Sequence, residues 1–134
     1  MAKLTIEIVT PEKRILSAQA DEAVIPGAVG LFGVRPGHTP FLSLMEPGEL
    51  TLREGGATQK FFVGGGFVEV GDDKVLVLAD QAEPVSTIDA AAARRRLSEA
   101  QARLAGMSSE DAHFPIETAT VRRETARIAL AGRG

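Results

Sequence analysis

The sequence contains no cysteine, no tryptophan and no tyrosine. Without cysteine, disulfides, zinc–thiolate centres and thiol nucleophiles are excluded. Six phenylalanines are the whole aromatic complement, so the core must rest on Val, Leu and Ile. No apolar run approaches the ~20 residues that cross a bilayer as a helix. Membrane association is therefore expected only through a partner, without insertion. The first residues, Met1 to Ile6, alternate like a strand and lack the apolar centre of a signal peptide. Histidine is scarce too. His38 and His113 lie far apart, and neither belongs to a His-Glu-x-x-His pair, so no metal site is expected. There is no Gly-x-Ser-x-Gly elbow and no nucleophile–base signature, which points away from an enzyme.

The residues that are present describe a globular chain. Of 134 residues, 44% are hydrophobic and 25% charged, far from the disordered range. The net charge of -3 hides an asymmetry. Residues 1–85 carry 7 basic and 12 acidic side chains, whereas residues 86–134 carry 8 basic and 6 acidic ones. Every basic residue after position 85 is Arg. The second segment thus suits either a solvated helix surface or an acidic partner. Arg94-Arg95-Arg96 has no interleaved aromatics, and consecutive helical residues point in different directions, so nucleic-acid binding is not expected.

Two segments follow from the patterning. Residues 1–85 read as an all-β sandwich. Leu4, Ile6 and Ile8 alternate with Lys3, Thr5 and Glu7, the period of a half-buried strand. Phe61-Phe62-Val63, Phe67 to Val70 and Val75 to Leu78 are short runs of β-forming residues. Turns are expected at Pro26-Gly27, Pro36-Gly37, Pro47-Gly48, Gly55-Gly56, Gly64-Gly65-Gly66 and Gly71-Asp72-Asp73, because Pro fixes φ and Gly supplies positive φ. The triple glycine lacks a following Gly-Lys-Ser/Thr, so a hairpin turn is expected there rather than a phosphate loop. Gly27, Gly30 and Gly33 have the wrong spacing for a dinucleotide fingerprint.

Residues 86–134 read as an α-helical hairpin. Ser86 and Asp89 have capping-box spacing. Ala90, Ala93, Leu97, Ala100 and Leu104 form one helical seam, with a stop near Gly106 and a break through Ser108 and Ser109. Glu99 and Arg103 sit four apart on an outer face. Pro115 suits the first turn of a second helix. That helix has two stripes: Ile116, Ala119, Ala126 and Leu130, and Phe114, Val121 and Ile128. A full Leu contributes ~1.5–3 kcal/mol on burial and Ala much less. The Ala-rich seam therefore predicts a weakly docked, detachable hairpin.

Several stretches resemble the epsilon subunit of F-type ATP synthases, the bacterial counterpart of the mitochondrial delta subunit. These are Gly30-Leu31-Phe32-Gly33-Val34-Arg35-Pro36-Gly37-His38-Thr39-Pro40-Phe41, Gly65 to Val70, Val77-Leu78-Ala79-Asp80, and Ala82-Glu83 followed by Ile88-Asp89. The resemblance spans almost the whole chain and is weakest over the last twenty-five residues. It implies a non-catalytic subunit at the foot of the central stalk, against the gamma subunit and the membrane rotor ring. There it would couple proton-driven rotation to ATP synthesis. The location implied is peripheral, on the cytoplasmic face of the bacterial inner membrane. The loop at 29–38 would approach the ring through Val29, Leu31 and His38. His38 also reads as an ordinary turn histidine. Family members often carry acidic residues at the positions of Val29 and Leu31, so this chain's expected ring contact is more apolar.

The resemblance further implies that the hairpin lies beside the sandwich or extends to the alpha/beta catalytic head and restrains ATP hydrolysis. Arg94, Arg95, Arg103, Arg122, Arg123 and Arg127 are the expected head contacts, since guanidinium groups suit acidic segments. Some relatives bind ATP on the folded hairpin through an Ile/Leu-Asp-x-x-Arg-Ala motif and a second-helix Arg. The matching positions here are Ile88, Asp89 and Arg122, but Ala92 replaces the motif Arg. Asp89 is expected to serve as a helix cap rather than a nucleotide ligand. The alternative to the whole reading is a free-standing ligand-binding sandwich with a helical tail.

Overall fold

The computed structural model describes residues 2–133. Eight strands come first: β1 (Leu4–Val9), β2 (Arg14–Ala20), β3 (Glu22–Gly27), β4 (Gly30–Val34), β5 (Phe41–Glu54), β6 (Ala57–Gly71), β7 (Lys74–Ala79) and β8 (Ala82–Pro84). A 3-10 turn, Val85–Thr87, leads to α1 (Ala90–Ala105) and α2 (Phe114–Leu130). The sandwich followed by two helices is the expected architecture.

The strands hydrogen-bond in the order β2-β1-β7-β6-β5-β3-β4, with β8 added to β6. All neighbours are antiparallel except β1 and β7, which run parallel. The two long strands make the sandwich. β5 and β6 pair from Phe41↔Val70 to Glu54↔Ala57 and pass through both layers. The second half of β6 pairs with β7, and its first half pairs with β8. Between the layers lie Leu4, Ile6, Ile8, Ile25, Leu50, Val68, Val75 and Val77, all fully buried. The alternation in β1 thus places its apolar side inward, as its period requires.

The bend in β6 corrects one sequence expectation. Gly64-Gly65-Gly66 is not a hairpin turn but the interior of a strand. Gly65 and Gly66 have φ of 102° and 127°, so the chain changes layers there without reversing. Pro47-Gly48 likewise lies inside β5, opposite this bend. Pro26-Gly27 ends β3, and the reversal itself falls on Ala28 and Val29. Turn residues signal irregular φ, which a strand bend needs as much as a hairpin does. Gly55-Gly56 and Asp72-Asp73 do reverse the chain. Asp72 and Asp73 take φ of 51° and 56° there, the left-handed geometry of a two-residue hairpin.

The hairpin seam is as expected. Ala93 and Ala100 are buried, and Ala90, Leu97 and Leu104 are half-buried beside them. The helix start differs from the capping-box reading. Ser86 belongs to the 3-10 turn, and Asp89 is the N-cap, its carboxylate accepting the Ala92 N–H at 3.0 Å. Ile88 is extended between the two, so the cap shifts to the residue after it. Pro115 does sit in the first turn of α2. Glu99 does not partner Arg103; Arg103 instead reaches Glu117 across the hairpin, at 2.9 Å. The first α2 stripe is only half right: Leu130 is buried and Ala126 half-buried, but Ile116 and Ala119 are exposed.

Candidate functional site

Two surfaces stand out, and the strand pleat builds the first. In β5, β6 and β7 the residues alternating with the core point out of the sandwich. Register puts Leu44 opposite Phe67, Phe67 opposite Leu78, and Leu78 beside Val9. Leu44, Phe67 and Leu78 are each about half exposed. The next row is Leu42, Glu69, Leu76 and Glu7. Glu7 is held by Lys74 at 2.8 Å and by Arg14 at 3.3 Å. The hydrogen bond and charge of Lys74 hold its carboxyl below the usual carboxylate range. An apolar cross-strand row with a polar border is the makeup of a protein-binding surface.

This row continues toward the β3–β4 turn. The Ala28 N–H donates to the Leu44 carbonyl at 2.9 Å, so the turn is fixed beside the row. At the tip, Val29 is 96% and Leu31 73% exposed. Gly27 is required here: a Cβ would lie 2.9 Å from both the Gly30 oxygen and the Phe32 ring. His38 lies beyond the opposite end of β4, so β4 separates it from Val29. Its Nδ1 is 2.6 Å from the Thr39 oxygen, and its ring centre is 6.2 Å from that of Phe41. The Gly37 N–H donates to Asp73 Oδ1 at 2.7 Å, anchoring the His38 loop to the β6–β7 hairpin.

The second surface is where α2 meets the sandwich. Phe62, Val85 and Leu130 form a small apolar cluster, with Ile88 and Ala126 packed against it. Beside it, Glu124 and Arg127 are only 1% and 5% exposed. Arg127 Nη1 donates to Glu124 Oε2 at 2.5 Å, and Nη2 donates to Gln81 Oε1 at 2.8 Å. Its Nε lies 3.4 Å from Glu83 Oε2 without reaching hydrogen-bond geometry. The guanidinium carbon sits 4.3 Å above the Phe62 ring, a cation–π contact. Glu124 also accepts from Arg96 of α1 at 3.1 Å and from Arg123 at 3.3 Å. Burial pushes the Glu124 carboxyl up, but the bonds and charges of Arg127 and then Arg96 outweigh it and hold the carboxyl low.

The expected arginines therefore occupy different settings. Arg94 and Arg95 are exposed. Arg103 and Arg122 are exposed but pair with Glu117 and Glu46. Arg123 is half-buried, its stem passing Gly64, where a Cβ would lie 3.0 Å from Cδ. Arg127 is buried. Ile88 is packed in the apolar cluster and Asp89 caps α1. The Glu124–Arg127 pair was hidden from hydrophobic patterning because charged residues at i and i+3 normally mark a solvated face.

Comparison with known proteins fits this geometry. The profile of the family described as ATP synthase, Delta/Epsilon chain, beta-sandwich domain matches residues 3–85. The ATP synthase epsilon chain of Myxococcus xanthus (strain DK1622) is 74% identical over 131 residues, 98% of this chain and 96% of that one. The epsilon chain of Anaeromyxobacter sp. (strain Fw109-5) is 49% identical over 130 residues, 97% and 98% of the two chains. Among solved structures, a chain of the Euglena gracilis mitochondrial ATP synthase, OSCP/F1/c-ring, aligns with a TM-score of 0.79 at 23% identity. That alignment covers 96% of this chain and 81% of the other, and it speaks to the fold. With a family profile over the sandwich and near-full-length relatives on both segments, the chain belongs to the ATP synthase delta/epsilon-chain family, on its epsilon side.

Proposed function

We propose that this chain is a central-stalk subunit of a rotary, proton-translocating F-type ATP synthase. It performs no chemistry itself. It couples rotor rotation to ATP synthesis, and its hairpin restrains ATP hydrolysis. Residues 1–85 are the stalk domain and residues 86–134 the regulatory hairpin. The observation that carries the reading is the apolar row Leu44–Phe67–Leu78 on the outer face of the sandwich. Exposed apolar side chains aligned across three strands suit a partner of complementary apolar surface, and the gamma subunit is that partner here.

The remaining roles extend from that face. The tip at Val29 and Leu31 meets the membrane rotor ring through apolar contact, and His38 contributes from the far end of β4. The complex then lies against the cytoplasmic face of the bacterial inner membrane, with this chain peripheral to it. No helix among the described residues is long and apolar enough to cross a membrane. When extended, the hairpin presents Arg94, Arg95, Arg103, Arg122, Arg123 and Arg127 to the catalytic alpha/beta head. ATP is not assigned a site on the folded hairpin, because Asp89 is engaged at the cap and Ala92 offers no charge.

The test is assembly of the synthase with a chain truncated after Thr87. The truncated chain should assemble with the rotor, and ATP hydrolysis by the complex should rise. Unchanged hydrolysis with normal assembly would remove the restraining role. Failed assembly by a folded truncated chain would remove the claim that the sandwich alone is the stalk domain.

A further inference from the structure

The charged cluster beneath α2 has more structure than docking a helix requires. Arg127 contacts four groups on two sides of an interface: Glu124 on its own helix, and Gln81, Glu83 and Phe62 on the sandwich. Glu124 in turn receives Arg127 and Arg123 from α2 and Arg96 from α1. The path β6/β8–Arg127–Glu124–Arg96–α1 therefore joins the sandwich, α2 and α1 through one carboxylate. Nothing comparable joins them elsewhere among the described residues. The Arg103–Glu117 pair links only the two helices, and the Arg122–Glu46 pair links only α2 to β5. Arg103, Arg122 and Glu46 lie open to solvent and Glu117 is half-buried, and ion pairs at such a surface contribute little. The buried cluster is different, because removing one partner strands a desolvated charge.

The sandwich is shaped to receive it. Gly64, in the β6 bend, leaves room for the Arg123 stem. The apolar cluster where α2 meets the sandwich is small, with Phe62, Val85 and Leu130 as its buried members. Apolar burial alone thus holds the hairpin weakly, and the charged cluster decides whether it is docked.

We propose that Glu124 is a latch that docks both helices as one unit and, in doing so, hides Arg127. Without the Glu124 charge, Arg127 loses its closest acceptor and Arg96 loses its tie to α2, so α1 and α2 separate from the sandwich together. The docked and extended states are then mutually exclusive through one side chain: an Arg127 buried against Phe62 is not available to an acidic segment of a partner. The part of this inference that concerns hydrolysis rests on the function proposed above. The part that concerns the latch belongs to the chain alone.

Hydrogen exchange on the full chain tests the latch. Glu124→Gln keeps the side-chain shape and removes the charge. Amides of α1 and α2 should both exchange roughly tenfold faster or more, with the strands β1, β6 and β7 unchanged. Faster exchange confined to α2, unchanged exchange, or faster exchange in the strands would each overturn the latch. Arg96→Gln is the second variant. It should speed exchange in α1 while α2 stays protected, and unchanged α1 exchange would contradict the role of Glu124 as the link. In the assembled synthase, E124Q should lower ATP hydrolysis, and adding Arg127→Gln should remove that effect. An E124Q hairpin that exchanges fast yet leaves hydrolysis unaltered would keep the latch and reject its use in regulation.

Discussion

The carbonyl oxygen of Leu78 occupies the space where a side chain on Gly66 would begin. Gly66 also has a φ of 127°, which L side chains rarely adopt. The two facts together fix the bend at which β6 leaves β8 and joins β7. Gly66→Ala should destabilise the chain by about 3 kcal/mol or more. Urea unfolding followed by far-ultraviolet circular dichroism measures this. Intrinsic tryptophan or tyrosine fluorescence is not an option for this sequence. A variant as stable as the parent would mean that the bend is not set by this contact.

The Asp89 cap separates charge from hydrogen bonding. Asp89→Ala should cost about 1 kcal/mol, because the Ala92 N–H loses its acceptor. Asp89→Asn should restore most of that loss, since an amide oxygen caps nearly as well. Thermal unfolding of the three proteins distinguishes the outcomes. Equal loss in both variants would show that the carboxylate charge, not the cap, is what matters.

Acid should weaken the fold through identifiable carboxylates. The Arg53 hydrogen bond, opposed by burial and aided by Arg35, holds Glu22 below its ordinary value. Glu7 and Glu124 are also held low. A depressed folded-state pKa means the unfolded chain binds more protons, so this stability is present above the unfolded value of about 4.3 and is lost as pH falls through the lower folded values. Urea midpoints should be flat from pH 7 to 5 and drop below pH 4. Glu22→Gln should lessen the drop. An undiminished drop would assign the acid sensitivity elsewhere.

The apolar tip is tested by charge. Val29 and Leu31 face solvent, so Val29→Glu and Leu31→Glu should leave stability within about 0.5 kcal/mol. Coupling of proton flow to ATP synthesis in membrane vesicles should fall in both variants. Normal assembly and coupling would argue against apolar ring contact at this tip.

These residues also show what the sequence makes legible. Alternation in β1 placed Leu4, Ile6 and Ile8 in the core, because a one-sided strand must repeat every two residues. The seam from Ala90 to Leu104 was readable for the same reason at helical period. Gly64-Gly65-Gly66 was misread because glycine reports positive φ and not whether the chain reverses. The Leu44–Phe67–Leu78 row was invisible, since it exists only once register aligns three strands. Arg127 was singled out as a head contact, but its burial with Glu124 was hidden, because that depends on partners at Gln81, Glu83 and Arg96, far away in sequence. The seam was correctly seen as poor in large residues, but the charged contribution to docking lay outside any apolar pattern.

The central claim is that the outer row of the sandwich binds the rotor, and Phe67 stands at its middle. Phe67→Asp should leave the fold intact, since the side chain is half exposed on the outer face. Binding of the full-length variant to purified gamma subunit, measured by calorimetry, should weaken roughly 10–100-fold, the equivalent of losing about 1.5–3 kcal/mol of apolar burial. A folded Phe67→Asp chain that binds gamma as tightly as the parent would contradict the account.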